Sequence, residues 1–166
     1  EEFPVEEDEL SSAEFGTLVH EVLEHLNFQD PEKTLAGVVR EVFNGMDEGK
    51  IREAMEIAGR FIQSPLLQEI QKAKRVFKEL PFVLNERHGS IHGVIDLLYQ
   101  DLRGLWHIVD YKTAVGDSVS MAASGYEEQI LIYALAFQEI SRQCPVRGVI
   151  YYLKNQFACD IPLNAG

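Results

Sequence analysis

Near residue 80 the apolar residues of this chain stop recurring every three to four positions and begin to alternate. That change excludes an all-helical and an all-β fold together. Upstream, Phe15, Leu18, Val19, Val22, Leu23 and Leu26 follow helical spacing. Ser11-Ser12-Ala13-Glu14 ahead of them reads as a capping segment, so a helix is expected over about 12–28. Asp30-Pro31 restarts the chain with proline at a first helical position, and Asn44-Gly45 stops it. A third helix is expected over 48–62, ended by Ser64-Pro65, and a fourth over about 66–78. Downstream, 80–88 reads as extended, and 91–100 and 105–113 are rich in β-branched and aromatic residues around a short polar turn. A helix over about 120–142, a strand over 146–153 and an edge strand over 157–163 complete the pattern. The sum is a mixed β-sheet flanked by helices, an α/β or α+β domain with one core and a helical N-terminal half.

The chain has 166 residues, enough for one domain with a substantial core. No apolar run approaches the roughly 18 residues of a membrane span. Glu1-Glu2-Phe3-Pro4 has neither the basic nor the apolar region of a signal peptide. The chain starts without an initiator Met, and the expectation is a piece of a longer polypeptide. Cys144 and Cys159 are too few for a four-cysteine zinc or iron–sulfur site, and two thiols in this composition fit a reducing cytosol. The net charge is −12, which argues against nucleic-acid binding driven by bulk charge. Residues 1–14 hold seven acidic residues and no basic one; without them the balance is 15 basic against 20 acidic. They read as an acidic leader, with a single domain over 15–166. The one basic cluster, Lys72, Lys74, Arg75 and Lys78, is a solvated helix face or a phosphate contact.

The chemistry concentrates around Asp96 and Asp110. Asp110 and Lys112 lie two apart on one strand and share a face. A three-residue loop, Leu102-Arg103-Gly104, places Gly104 at the left-handed position where glycine is preferred. Asp101 then pairs with Leu105, Leu98 with Ile108, and Asp96 stands opposite Asp110. A four-residue loop would offset the aspartates by one. Like charges opposed on a sheet are destabilising, and a divalent cation between them removes the cost. Two carboxylates with a lysine are equipment for attacking a phosphodiester. The same spacing also fits two rim aspartates with Lys112 as their salt-bridge partner.

Asp96 followed by Asp110-Tyr111-Lys112 resembles the PD-(D/E)XK nuclease signature. Further segments look like its RecB/AddA-type branch, the C-terminal nuclease domain of bacterial helicase–nucleases. Gly16-Thr-Leu-Val-His20 is similar to that branch's G-x-x-x-H helix, and Glu79-Leu-Pro-Phe82 to its E-x-P-F strand. Gly93-Val-Ile-Asp96 resembles its G-x-x-D strand, Asp110-Tyr-Lys112-Thr113 its D-Y-K-T element, and Gln129-Ile-Leu-Ile-Tyr133 its Q-x-x-x-Y helix. Each motif alone is weak, but five in order span about 15–155.

The resemblance implies a restriction-endonuclease-like fold and a deoxyribonuclease, exonuclease in preference to endonuclease, using Mg²⁺ or Mn²⁺. It implies His20, Asp96, Asp110 and the Tyr111 backbone carbonyl as metal ligands, with Asp96, Asp110 and Lys112 catalytic. Gln129 and Tyr133 would contact DNA. Glu79 would assist the site or pair with the basic cluster. Read without the resemblance, His20 fits a packed histidine, and Tyr126, Gln129 and Tyr133 fit a core stripe. His25, His88, His92 and His107 match no motif and read as surface or turn residues. The relatives with an iron–sulfur cluster carry four cysteines, so none is expected here. The implied partners are a single-stranded DNA end, helicase domains of the same polypeptide and a second helicase–nuclease subunit, in the bacterial cytoplasm, with no membrane. The rival reading is a catalytically idle scaffold or regulatory domain of this fold. A hydrolase of small phosphoesters is disfavoured by the lack of a phosphate-cradling glycine loop.

Overall fold

The computed structural model describes residues 10–163, and residues 1–9 of the expected acidic leader lie outside them. Helix α1 (Ser12–His25) starts on the expected capping box: the Ser11 hydroxyl accepts the Glu14 N–H, and the Glu14 carboxylate accepts the Ser11 N–H. Helices α2 (Pro31–Val42), α3 (Glu48–Ile62) and α4 (Pro65–Gln71) follow. Asp47 and Ser64 cap the last two with their side chains.

Five strands form one sheet in sequence order: β1 (Arg75–Glu86), β2 (Gly89–Gln100), β3 (Trp106–Lys112), β4 (Pro145–Tyr152) and β5 (Phe157–Pro162). β3 and β4 run parallel, and the other neighbours are antiparallel. The crossover between β3 and β4 holds α5 (Ser118–Ala123) and α6 (Tyr126–Ser141). The result is the expected mixed sheet flanked by helices. Alternation divides the strands between two cores. Val109, Tyr111, Val149 and Tyr151 pack toward α1–α4, whereas Ile108, Ile150 and Tyr152 pack toward α6. None of the described helices is long and apolar enough to cross a membrane.

Two expected helices come out differently. The fourth stops at Gln71, not near 78, because Lys74 N–H already donates to the Gln100 carbonyl and Arg75 pairs with Gln100. A twelve-residue strand, eleven of whose residues pair with β2, outweighs a weak local helical pattern. The basic cluster is therefore no helix face. Lys72 and Lys74 lie in the connection, and Lys78 turns inward over the end of α1. Its ammonium donates to the carbonyls of Leu23, Glu24 and Leu26, using its three N–H groups on the free carbonyls of a helix C-terminus. Burial pushes Lys78 down to about 8, which still leaves it charged at neutral pH. The expected 120–142 helix is split at Gly125, whose φ of 74° lies in the left-handed region.

His107 is also not a surface residue. It is buried, stacked on Tyr99 at 4.7 Å, with Nε2 2.9 Å from an Asp101 carboxylate oxygen. Alternation on β3 turns it inward, and its distance from any motif gave no hint of that.

Candidate active site

The β2–β3 hairpin has the expected register. Gly104 has φ 88°, the Asp101 N–H donates to the Leu105 carbonyl, and Leu98 pairs with Ile108. The ladder runs only to Leu97–Val109, one rung short of Asp96 and Asp110. There an Asp96 carboxylate oxygen accepts the Tyr111 N–H at 2.8 Å. A side chain thus completes the backbone's hydrogen bonding where the strands part.

The neighbouring hairpin is irregular at the same level. Lys78 pairs with Leu97 and Leu80 with Ile95, so Glu79 falls opposite Asp96, and its φ of 47° lies in the left-handed region. The alternation of both strands changes phase there: Lys78 and Leu97 lie on the α1 side, whereas Leu80, Phe82 and Ile95 join the α6 core. Such backbone strain in a non-glycine residue collects at functional sites. Pro81, a residue that weakens a ladder, was the available sign in the sequence.

His20 reaches this point from α1. Gly16, one turn earlier, permits the approach: a Cβ there would meet Thr113 Oγ1 at 2.7 Å, so only glycine lets the helix lie this close to the end of β3. The His20 ring meets Tyr111 edge-on at 5.9 Å, and its Nδ1 is 3.6 Å from Asp96 Oδ1. One ligand atom each of His20, Glu79 and Asp96 lies within 4.8 Å of the other two, a group that could hold a metal ion. No ion pair joins Glu79 to the basic cluster among the described residues.

Asp110 stands on the α6 side, buried, with a carboxylate oxygen 2.8 Å from Lys112 Nζ. Lys112 Nζ also donates to Gln129 Oε1 at 3.1 Å, and Gln129 Nε2 donates to the Tyr133 hydroxyl at 2.7 Å. Gln129 thus accepts from the lysine and donates to the Tyr133 hydroxyl oxygen. Tyr133 is itself buried, edge-on to Phe82 at 5.5 Å. His20, Glu79, Lys112 and Thr113 line a cleft of about 530 Å³, and Glu21 and Glu24 make its α1 side acidic.

The electrostatics match crowded acids. Burial, and then the charge of Asp96, push Glu79 up to about 7. The same two causes push Asp110 up to about 6, against the pull of Lys112. Burial works against a charged His20, but the Asp96 hydrogen bond and the surrounding carboxylates outweigh it and raise His20. A folded acid with a raised pKa holds its proton longer than the unfolded chain does. Between about pH 4.5 and 7 the native state therefore binds more protons through Glu79, and stability falls as pH rises. In EDTA, Glu79→Gln should gain stability on the wild type progressively across that window. Melts from about pH 4.5 to 7.5 check it, and a constant difference between the two proteins would refute it.

The end of the sheet thus sets an Asp-x-Lys strand end beside a histidine–carboxylate group that could hold a metal ion. The profile of the PD-(D/E)XK nuclease superfamily matches residues 1–161, and the chain belongs to that superfamily. It is similar to an ATP-dependent helicase/nuclease subunit from Staphylococcus epidermidis, at 29% identity over 170 residues covering 85% of this chain. The corresponding protein of Lysinibacillus sphaericus is 25% identical over 171 residues covering 92%. In both cases the chain spans only 14% of the relative's length. A crystal structure named for an exonuclease from Eubacterium rectale shares the fold, with TM-score 0.59 and 16% identity, over 96% of this chain and 61% of that one.

Proposed function

We propose that this chain is the nuclease unit of a bacterial helicase–nuclease, a Mg²⁺- or Mn²⁺-dependent deoxyribonuclease that degrades single strands from an end in the cytoplasm. The observation that carries the reading is the meeting of His20, Glu79 and Asp96 beside the Asp110–Lys112 pair where the β2–β3 ladder ends. One imidazole among carboxylates is a donor set that suits Mn²⁺ and Mg²⁺. His20, Asp96, Asp110 and the Tyr111 carbonyl would hold the cation, and Glu79 is a further ligand or proton acceptor. When bound, the cation supplies a Lewis acid that activates water and neutralises phosphate charge.

The residues divide the remaining work. Asp96 uses one oxygen on Tyr111 N–H and leaves Oδ1 facing His20. That anchoring holds the ligand carboxylate without a separate support. Glu79, near 7, shares its proton with solvent at neutral pH, so metal binding should release protons and tighten as pH rises. Lys112 is held by Gln129, itself oriented by Tyr133, to place its charge against the phosphate oxygens and the attacking water.

An end-labelled linear single strand and a closed circular one, each with Mn²⁺, Mg²⁺ or EDTA, test the reading. The linear strand should be shortened only with metal and the circle spared; no cleavage in either metal would refute it. Affinity should be weak. The net charge is −12, the cleft has an acidic side, and Lys78 is withdrawn from solvent. With about −0.7 per phosphate contact on single strands, log affinity against log salt should have a slope of roughly −1 to −3. A slope steeper than about −5 would mean that the chain has a DNA groove of its own and needs no motor domain for delivery.

A further inference from the structure

Tyr126 opens α6 and belongs to none of the motifs above, yet its ring lies against the lysine of the site. Lys112 Nζ is 4.2 Å from the ring centroid, inside cation–π range. The contact is sheltered, because the Lys112 side chain is only 20% exposed. It is also built in: Gly125 turns the chain between α5 and α6, and the Tyr126 N–H donates to Ser124 Oγ at 3.2 Å.

We propose that Tyr126 is a positioning residue for the reaction, its ring face holding the Lys112 ammonium at the site while Asp110 serves the metal. The inference rests on the nuclease reading above. Lys112 meets the Asp110 carboxylate, the Gln129 carbonyl and the Tyr126 face. A cation that recruits Asp110 takes away the charged one of these three. What remains must hold an ammonium beside the first turn of α6, where the helix dipole is unfavourable to positive charge. An aromatic face suits this task. It is electron-rich, it takes no proton, and it does not compete for the metal.

The test compares the 166-residue chain with Tyr at 126, Tyr126→Phe, Tyr126→Leu, and 3,4,5-trifluorophenylalanine at 126, which keeps the ring's shape but strips its negative face. Cleavage of linear single-stranded DNA and Mn²⁺ affinity are measured for each. Phe should restore the wild-type rate. Leu and the trifluoro ring should each lower kcat roughly 2- to 30-fold, the range of a cation–π contact, with KM and Mn²⁺ affinity unchanged. Equal kcat for the Phe and trifluoro proteins would overturn the proposal, and so would a loss confined to KM. If Leu unfolds the chain, the trifluoro comparison still decides. A second readout needs no activity: ring currents should shift the Lys112 ε-methylene protons upfield in the Tyr and Phe proteins and not in the Leu protein. If the wild-type chain cleaves nothing, the nuclease reading falls on its own, and an unshifted Lys112 would separately refute the contact.

Discussion

Asp110→Ala should lose Mn²⁺ binding and DNA cleavage together, whereas Lys112→Ala should lose cleavage while keeping its metal. Asp110 is buried and its charge is partly suppressed by burial and by Asp96, so its carboxylate has few uses other than to receive a cation. Lys112 is that cation in the metal-free protein, at 2.8 Å. On the proposed reading it competes with the metal for one carboxylate, so Lys112→Ala should bind Mn²⁺ as tightly as the wild type or more tightly. The rate is another matter, because an ammonium against developing phosphate charge contributes on the order of 10²–10³ in kcat. Calorimetry with Mn²⁺ beside a single-turnover nuclease assay separates the two variants. Equal loss of metal affinity in both would show that the lysine and the aspartate do not divide the work this way.

Gly16→Ala should destabilise the protein and weaken Mn²⁺ binding, and Thr113→Ala in the same chain should restore both. Elsewhere in a helix, Gly→Ala stabilises by roughly 0.5–1 kcal/mol. Here the new Cβ would sit 2.7 Å from Thr113 Oγ1, while the Thr113 Cβ, which Ala keeps, is at an ordinary 3.8 Å. Overpacking of this kind costs about 1–3 kcal/mol, so the sign reverses. If α1 lifts from β3 to relieve the clash, His20 moves with it one turn on, and the ligand group opens. A double-mutant cycle in melting temperature and in Mn²⁺ affinity measures the coupling. Additive effects would mean that the close approach of α1 to Thr113 does not seat His20.

The parts legible in the sequence are those encoded within a few residues. The capping box at Ser11 and Glu14 and the left-handed Gly104 carry their own geometry. The loop length set the β2–β3 register, which puts Asp96, Asp110 and Lys112 at one end of a hairpin without help from any distant contact. Five short motifs in order then pointed to the superfamily that the profile match shows.

What only the tertiary structure decided involves partners far apart in the chain. Glu79 joins His20 and Asp96 because a change of phase shared by two strands turns it there, and Pro81 alone marks a weakened ladder without saying which residue is turned or toward what. Lys78 reads as one basic residue among four until the end of α1, more than fifty residues earlier, offers it three carbonyls. Gln129 and Tyr133 read from the sequence as residues of one helix face, and only the packing of α6 on β3 brings Lys112 within hydrogen-bond reach of Gln129. Periodicity and turn chemistry are local and survive in a sequence read alone. The burial and pairing of polar groups depend on which distant element covers them, and only the folded chain supplies that element.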